Sequence, residues 1–224
     1  MEKINPFKKK INRLYYYLFK ERFSQKIDFK FDDVYRWDLI DYLNNKYSFS
    51  NYLEIGCNDD ELFSKIRIKN KIGIDPVIGG NMKITSDDFF LQNNLKFDCV
   101  FIDGLHVYDQ VKRDILNSSK FLNENGFILV HDCLPKSLSS QAVPRYKLTW
   151  NGDVWKAIVD LRQEPNLEIF TCLADEGISI IQNKENSNIL KLDKNISELK
   201  FKDFYYNHKE YMRPISFNQF KEMY

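Results

Sequence analysis

The stretch from Tyr52 to Asp75, YLEIGCNDDELFSKIRIKNKIGID, decides the fold of this chain. It opens on an apolar strand, Tyr52, Leu53 and Ile55, that runs directly into Gly56. Glycine at that point lets the backbone turn sharply at positive φ and lets a ligand come close. A short helix and a second apolar strand follow, ending on Asp75, whose carboxylate is placed to accept hydrogen bonds from a ribose diol. The spacing is not the phosphate-binding GxGxxG, because Asn58 and Glu61 stand where the further glycines belong. The expected ligand is therefore a nucleoside without a pyrophosphate.

Outward from that unit, strands and helices alternate. Strands are expected near 51–55, 71–75, 82–85, 98–103 and 126–131. Such alternation predicts an α/β fold, a mostly parallel sheet with helices on both faces. Tyr108, Val111, Ile115 and Leu122 form a helical stripe, and Asn125-Gly126 reads as the turn back into the sheet. A helix is expected over 150–164, with Asp153 as its N-cap and Pro165 closing it. Leu167–Leu173 and Gly177–Gln182, separated by Ala174-Asp175-Glu176, read as a hairpin. Ligands in open α/β sheets bind beyond the carboxyl ends of the strands, where Gly56, Asp75, Asp87, Asp103 and Asp132 are all expected. Glu54, an acid inside an apolar strand, needs a specific partner, either a ligand's amino group or backbone amides.

Five segments in order carry a resemblance: Glu54–Asn58 (EIGCN), Gly73–Asp75 (GID), Ser86–Phe90 (SDDFF), Phe101–Ile115 (FIDGLHVYDQVKRDI) and Gly126–Pro135 (GFILVHDCLP). Together, across Tyr52 to Asn183, they resemble the class I S-adenosylmethionine (SAM) dependent methyltransferases, and within them the methyltransferase domain 24 family. Asn58 replaces the second glycine of that family's ExGxG. The resemblance implies a Rossmann-like sheet closed by a C-terminal antiparallel hairpin, with SAM as cofactor. It puts Glu54 near the methionine amino group, Gly56 and Asn58 against the cofactor, Asp75 on the ribose, Ser86 or Asp87 at the adenine, and Asp103 beside them. For Ser86 and Asp87 the plainer alternative is a helix cap.

Asp103, His106 and Asp132 bear on mechanism. Methyltransferases resembling catechol O-methyltransferase hold a divalent cation with acids at the positions of Asp103 and Asp132, so Mg2+ or another divalent cation is implied as a possible second cofactor. Cys133 occupies the third ligand position, where a hard cation wants oxygen, leaving His131 or substrate oxygens to complete the sphere. The alternative is that the two acids orient His106 and its loop. His106 itself is the candidate general base, since a neutral imidazole can take a proton from a hydroxyl as the methyl is transferred; its alternative is to cap the helix from Tyr108. The long segment Pro135–Lys156 offers Arg145, Lys147, Trp150, Asn151 and Asp153 as a substrate wall suited to a sugar or polyol, against simple capping by Asp153 and burial of the tryptophans.

With 224 residues, one folded unit is expected, divided as an N-terminal helical extension (1–48), a methyltransferase core (49–183) and a tail packing on it (184–224). A formal net charge of +1 gives no reason to invoke nucleic acid as an obligatory partner. Four cysteines without a CxxC pair fit a reducing, cytoplasmic setting. No run is long and apolar enough for a membrane span, and Lys20, Glu21 and Arg22 interrupt the one stretch resembling a secretory segment. Residues 1–30 carry nine basic side chains, Lys3 among them, against three acidic ones, Glu2 among them. Ile11, Leu14, Tyr15, Leu18, Phe19 and Phe23 fall on one face of an amphipathic helix there. That face is expected to pack on the domain, on a second copy in a homo-oligomer, or on an anionic membrane surface, the remaining alternative being a flexible tail. The function expected is a cytoplasmic methyltransferase acting on oxygen of a small molecule or sugar-containing intermediate. Its rivals are an NAD-binding oxidoreductase and a non-catalytic module that binds a partner through the basic helix.

Overall fold

Alternation along three central strands sets the two faces of the sheet. The computed structural model describes residues 5–224, so the expected contributions of Glu2 and Lys3 lie outside it. In β1 (Asn51–Ile55), β3 (Phe97–Ile102) and β4 (Leu122–Val130), parallel pairing aligns Leu53, Val100 and Ile128 in one row and Ile55, Ile102 and Val130 in the next. Those rows face one core. The intervening rows, Tyr52 with Cys99 and Phe127, and Glu54 with Phe101 and Leu129, face the other. Side chains alternate faces along a strand, so Glu54 is forced into an otherwise apolar row.

The described residues form one seven-stranded sheet in the order β2-β1-β3-β4-β6-β5-β7, with β2 at Asn70–Ile74, β5 at Glu168–Cys172, β6 at Ile178–Gln182 and β7 at Pro214–Ile215. β2, β1, β3 and β4 are parallel, and β6 enters antiparallel to both β4 and β5, the expected terminal hairpin. This is the expected Rossmann-like sheet. Helices α2 (Arg36–Tyr47), α3 (Glu61–Lys65) and α9 (Phe217–Met223) lie along the Tyr52 face. Across the sheet lie α4 (Ser86–Gln92), α5 (Tyr108–Lys120), α7 (Val154–Leu161) and α8 (Phe201–Met212), while the one-turn α6 (Leu138–Gln141) sits in the loop after β4.

Three expectations are corrected and one is refined. The strand expected at 82–85 is a single parallel bridge between Met82 and Ile74, because Lys83 and Ile84 leave the edge to enter the cap of α4. Asn125-Gly126 is not a turn but an interruption within β4, with Asn125 at φ 61° and the β3–β4 register shifted between Phe97 and Cys99. Asp153 is the N-cap residue of α7 as expected, but its side chain makes no cap bond there; its Oδ1 instead accepts from the Tyr108 N–H at 2.7 Å, at the start of α5. In α1 (Pro6–Phe19), Tyr16 is the residue that is buried, while Ile11, Leu14, Tyr15, Leu18 and Phe19 are exposed. The part of the stripe within α1 thus faces away from the domain, while Phe23, beyond the helix, packs on Phe201 and Tyr205.

The C-terminal residues extend both cores: Phe201, Phe204 and Met212 are fully buried on one face and Phe220 on the other, and β7 adds to the sheet beside β5. No helix among the described residues is long and apolar enough to cross a membrane.

Candidate active site

Between β1 and β3 the chain reverses its direction of travel across the sheet, since β2 lies on one side of β1 and β3 on the other. Crevices at such switch points are where open α/β sheets bind ligands. A cavity of about 1050 Å³ opens at this point, at the carboxyl ends of β1 to β4. That is at the upper end for small-molecule sites, about 300–1,000 Å³, and leaves room for two ligands side by side. Of the residues singled out from sequence, Glu54, Gly56, Asn58, Asp75, Ser86, Asp87, Asp103, His106, His131 and Asp132 all line it. Arg145 and Trp150 do not.

Gly56 is required by geometry. Its φ is +89°, and a Cβ there would sit 2.3 Å from the Asp103 carbonyl oxygen, inside van der Waals contact. Asn58, where the motif has glycine, adopts φ 48°, a left-handed conformation that asparagine tolerates better than most residues, so the departure preserves the turn. Its N–H donates to Asp75 Oδ2 at 3.1 Å, while Asp75 Oδ1 accepts from Val77 and Ile78 N–H at 2.8 and 3.0 Å. Asp75 thus organises the loop after β2 and presents its carboxylate to the cavity.

Glu54 is 2% exposed in its apolar row, with the Tyr52 hydroxyl donating to it at 2.7 Å. Burial pushes its carboxyl up to about 7, partly offset by the Tyr52 hydrogen bond. On the opposite wall Ser86 and Asp87 begin α4, which Thr85 caps by accepting from the Asp88 N–H. Gln110 Nε2 ties this corner together, donating to Ser86 Oγ at 3.1 Å, Asp87 Oδ1 at 3.2 Å and the buried Asp114 Oδ1 at 3.0 Å. Burial raises Asp114 to about 6.

The strand ends of β3 and β4 bring together a dense charge cluster. His106 Nε2 lies 3.1 Å from Asp103 Oδ1 and its Nδ1 lies 3.0 Å from Asp132 Oδ2. Both ring nitrogens face carboxylates, an arrangement that favours the doubly protonated ring. Burial opposes the charge, yet the two acids outweigh it and hold His106 well above the usual histidine range. His131 Nδ1 is 3.3 Å from Asp103 Oδ1; burial again opposes charging, and Asp103 and Asp132 push it up to about 10. Arg36, at the start of α2, donates Nη1 to Asp103 Oδ2 at 2.7 Å and Nε to Asp175 Oδ2 at 2.6 Å. Burial would raise Asp103 and Asp175, but the imidazoles and Arg36 around them hold both well below the ordinary carboxylate range. Three carboxylates therefore meet three cations. His131 Nε2 is the loose end, buried and 3.6 Å from Asp175 Oδ1, beyond good hydrogen-bonding distance.

Asp103, His131 and Asp132 also place ligand atoms within 4.8 Å of one another. Two carboxylates and an imidazole fit a divalent cation by donor type and spacing once His131 gives up its proton. Cys133 stays out of this set: its Sγ points at the Val130 carbonyl, and burial pushes the thiol up to about 12.

Trp150 stands behind the wall, stacked on His106 at 5.4 Å, its carbonyl 3.1 Å from His106 Nδ1. Arg145 is turned outward onto the Lys147 and Leu148 carbonyls. Asn151 Nδ2 donates to Asp132 Oδ1 at 2.7 Å, and Gly152, at φ +65°, is packed so tightly on the His106 carbonyl that no Cβ fits. The segment expected to be a substrate wall thus braces His106 and Asp132 from outside the cavity. Sequence reasoning missed Arg36, Asp175, Gln110 and Asp114. Gln110 and Asp114, four apart on α5, could have been found from helical spacing; Arg36 and Asp175 lie far from any motif.

A family described as a methyltransferase domain matches residues 76–133, about a quarter of the chain, from the loop after β2 to the end of β4. The resemblance read from the motifs is borne out by this match. No curated protein sequence matches the chain. Among solved structures, the SAH-bound methyltransferase PaMTH1 of Podospora anserina is 16% identical, with 83% of this chain and 100% of that chain covered at a TM-score of 0.48. An SAH-bound O-methyltransferase from Bacillus cereus is 10% identical, covering 78% and 97%, at 0.46. The methyltransferase MycE of the mycinamycin biosynthetic pathway, in complex with Mg, SAH and mycinamycin VI, is 11% identical, covering 69% and 50%, at 0.45. At these values no shared substrate or metal follows.

Proposed function

We propose that this chain transfers the methyl group of SAM to a hydroxyl oxygen of a small molecule. The observation that carries the reading is the switch-point cavity itself. Gly56 is pressed against Asp103 beneath it, Asp75 lies at one end, and the acid–imidazole cluster lies at the other. The matched methyltransferase domain supports the methyl-transfer part of this reading. In this reading the SAM ribose diol bonds to Asp75, the adenine edge meets Ser86 and Asp87 in the corner held by Gln110, and the methionine ammonium meets Glu54. The sulfonium methyl then faces the His106 cluster.

SAM carries its own activated methyl group, so the chain's task is alignment, water exclusion and removal of one proton. The acceptor oxygen attacks the methyl carbon, the carbon–sulfur bond breaks toward sulfur, and the hydroxyl proton passes to His106. His106 accepts only when neutral. Its contacts with Asp103 and Asp132 favour the charged ring, so as the acceptor enters and displaces one of them, the resting proton must leave to solvent through the open cavity before the hydroxyl proton can be taken up. Asp103, His131 and Asp132 would hold a divalent cation, whose chemistry when bound is to polarise the acceptor oxygen.

Calorimetric titration with SAM and S-adenosylhomocysteine, with and without Mg2+ and with NAD as control, tests the reading. Saturable binding of both, lost in Asp75→Ala, is expected. Folded protein that binds neither refutes it, and preferential NAD binding would instead support an oxidoreductase.

A further inference from the structure

In α1, Tyr16 and Asn12 hold the helix to the domain. The Tyr16 hydroxyl accepts from Gln141 Nε2 at 2.8 Å, its ring packs on Tyr146 at 5.7 Å, and Asn12 Nδ2 donates to the Arg145 carbonyl at 2.8 Å. At 3.6 residues per turn, Phe7, Ile11, Leu14 and Leu18 fall on a single line, with Leu14 about 160° around the helix from Tyr16. That line is open to solvent: Phe7 is 71% exposed, Ile11 50%, Leu14 58% and Leu18 51%. A helix that spends its apolar stripe on solvent while docking through its polar side has the stripe for something else.

Charge selects the occupant. α1 contains Lys8, Lys9, Lys10 and Arg13 and no acidic residue. Residues 5–30 as a whole carry eight basic side chains against two acidic, and one of those two, Glu21, is bonded to the Phe201 and Lys202 N–H groups. Lys8 and Lys10 flank the stripe on either side, where long side chains can keep their ammonium groups at a polar boundary while the stripe is buried. A second α1 laid along the same stripe would set lysines against lysines with no acid to pair them. We infer that α1 docks this protein on an anionic lipid surface, with the stripe in the acyl boundary and the lysines among the headgroups.

The test is co-sedimentation of the full chain with vesicles of phosphatidylcholine containing half phosphatidylglycerol, beside vesicles of phosphatidylcholine alone. Binding is expected to the anionic vesicles, about tenfold stronger than to the neutral ones and weakened by high salt. Leu14→Glu and, separately, Lys8→Glu with Lys10→Glu are each expected to lower it about tenfold or more. These side chains touch nothing in the core, so an unchanged circular dichroism spectrum separates lost docking from lost folding. Equal, salt-insensitive binding to both vesicle types, or no binding to either, overturns the proposal. So does a concentration-dependent dimer that Leu14→Glu abolishes, which would assign the stripe to a second copy.

Discussion

Glu54→Gln separates the energetic cost of the site from its use. The Glu54 carboxyl is shifted from an ordinary 4.5 to about 7 by burial among Phe101, Leu129 and their neighbours. At about 1.4 kcal/mol per unit, ionised Glu54 costs the folded protein about 3 kcal/mol. The sign follows from linkage. Below about pH 4.5 both folded and unfolded chains hold the proton, and Glu54 has no effect. Between about 4.5 and 7 the unfolded chain ionises first, so stability falls with rising pH, and above 7 the loss is constant. Other groups, Asp114 among them, add slopes of their own, but they are common to both proteins. In urea titrations the wild type is therefore expected to lose about 3 kcal/mol more between pH 4.5 and 8 than Glu54→Gln does. Binding should run the other way. A SAM ammonium against Glu54 favours the carboxylate, so wild-type affinity rises with pH up to about 7, approaching tenfold per unit, while the variant binds more weakly and without that slope. Parallel stability curves for the two proteins would refute the burial argument, and a variant that binds SAM at pH 8 as tightly as wild type would refute the ammonium contact.

Gly56→Ala must accommodate a Cβ 2.3 Å from the Asp103 carbonyl at φ +89°, so a loss of stability of more than about 1 kcal/mol and of SAM binding is expected by thermal melts and calorimetry. Asp75→Asn keeps an acceptor for the Val77 and Ile78 N–H groups but loses the one for the Asn58 N–H, so it should fold with a loss of about 1–3 kcal/mol and lose about tenfold or more in SAM affinity; unchanged affinity would remove Asp75 from the ribose site. Arg36→Met leaves Asp103 and Asp175 without their guanidinium and is expected to cost about 3 kcal/mol or more in urea titrations, with Asp175→Asn in the same chain recovering part of it. His106→Asn should lower methyl transfer by about 10² to 10⁴ while leaving SAM affinity within a few fold, and equal losses in both would make His106 a positioning residue instead.

Much of this site was legible because its parts are local to strand ends. An apolar run followed by glycine, and a second ending on aspartate, fix the turn and the carboxylate from a single segment of chain, and β1 and β2 fall within a residue of where the pattern puts them. The same logic reaches Asp103 and Asp132. What stayed hidden depends on pairing between distant segments. Arg36 meets Asp103 across 67 residues and Asp175 across 139, and nothing in the sequence near Arg36 marks it as the counterion of a cavity. Asp175 was legible as a hairpin turn, which it is, but not as a cluster member, which follows only from the position of β6 beside β4. Periodicity failed differently in α1: it shows that a helix has an apolar face and says nothing of what that face meets.

The residues ahead of β1 do more than carry a surface helix. After α1 the chain crosses the outside of the loop following β4, where Lys26 bridges Ser137 and the Ile27 N–H bonds the Lys136 carbonyl at 2.9 Å. It then bonds Leu173 through the Asp32 N–H and delivers Arg36 into the charge cluster. α1 grips the same loop through Gln141, Arg145 and Tyr146, and that loop ends in Trp150 and Asn151, which brace His106 and Asp132. One continuous segment thus joins the exposed stripe, the loop behind the cavity and the cation that balances its acids. Deleting α1 would remove the stripe and loosen the brace together, and any change in methyl transfer could be charged to either. Substitutions confined to the exposed line, Phe7, Ile11, Leu14 and Leu18, leave the Tyr16 and Asn12 contacts in place, so they alone separate where the protein sits from how its site is held.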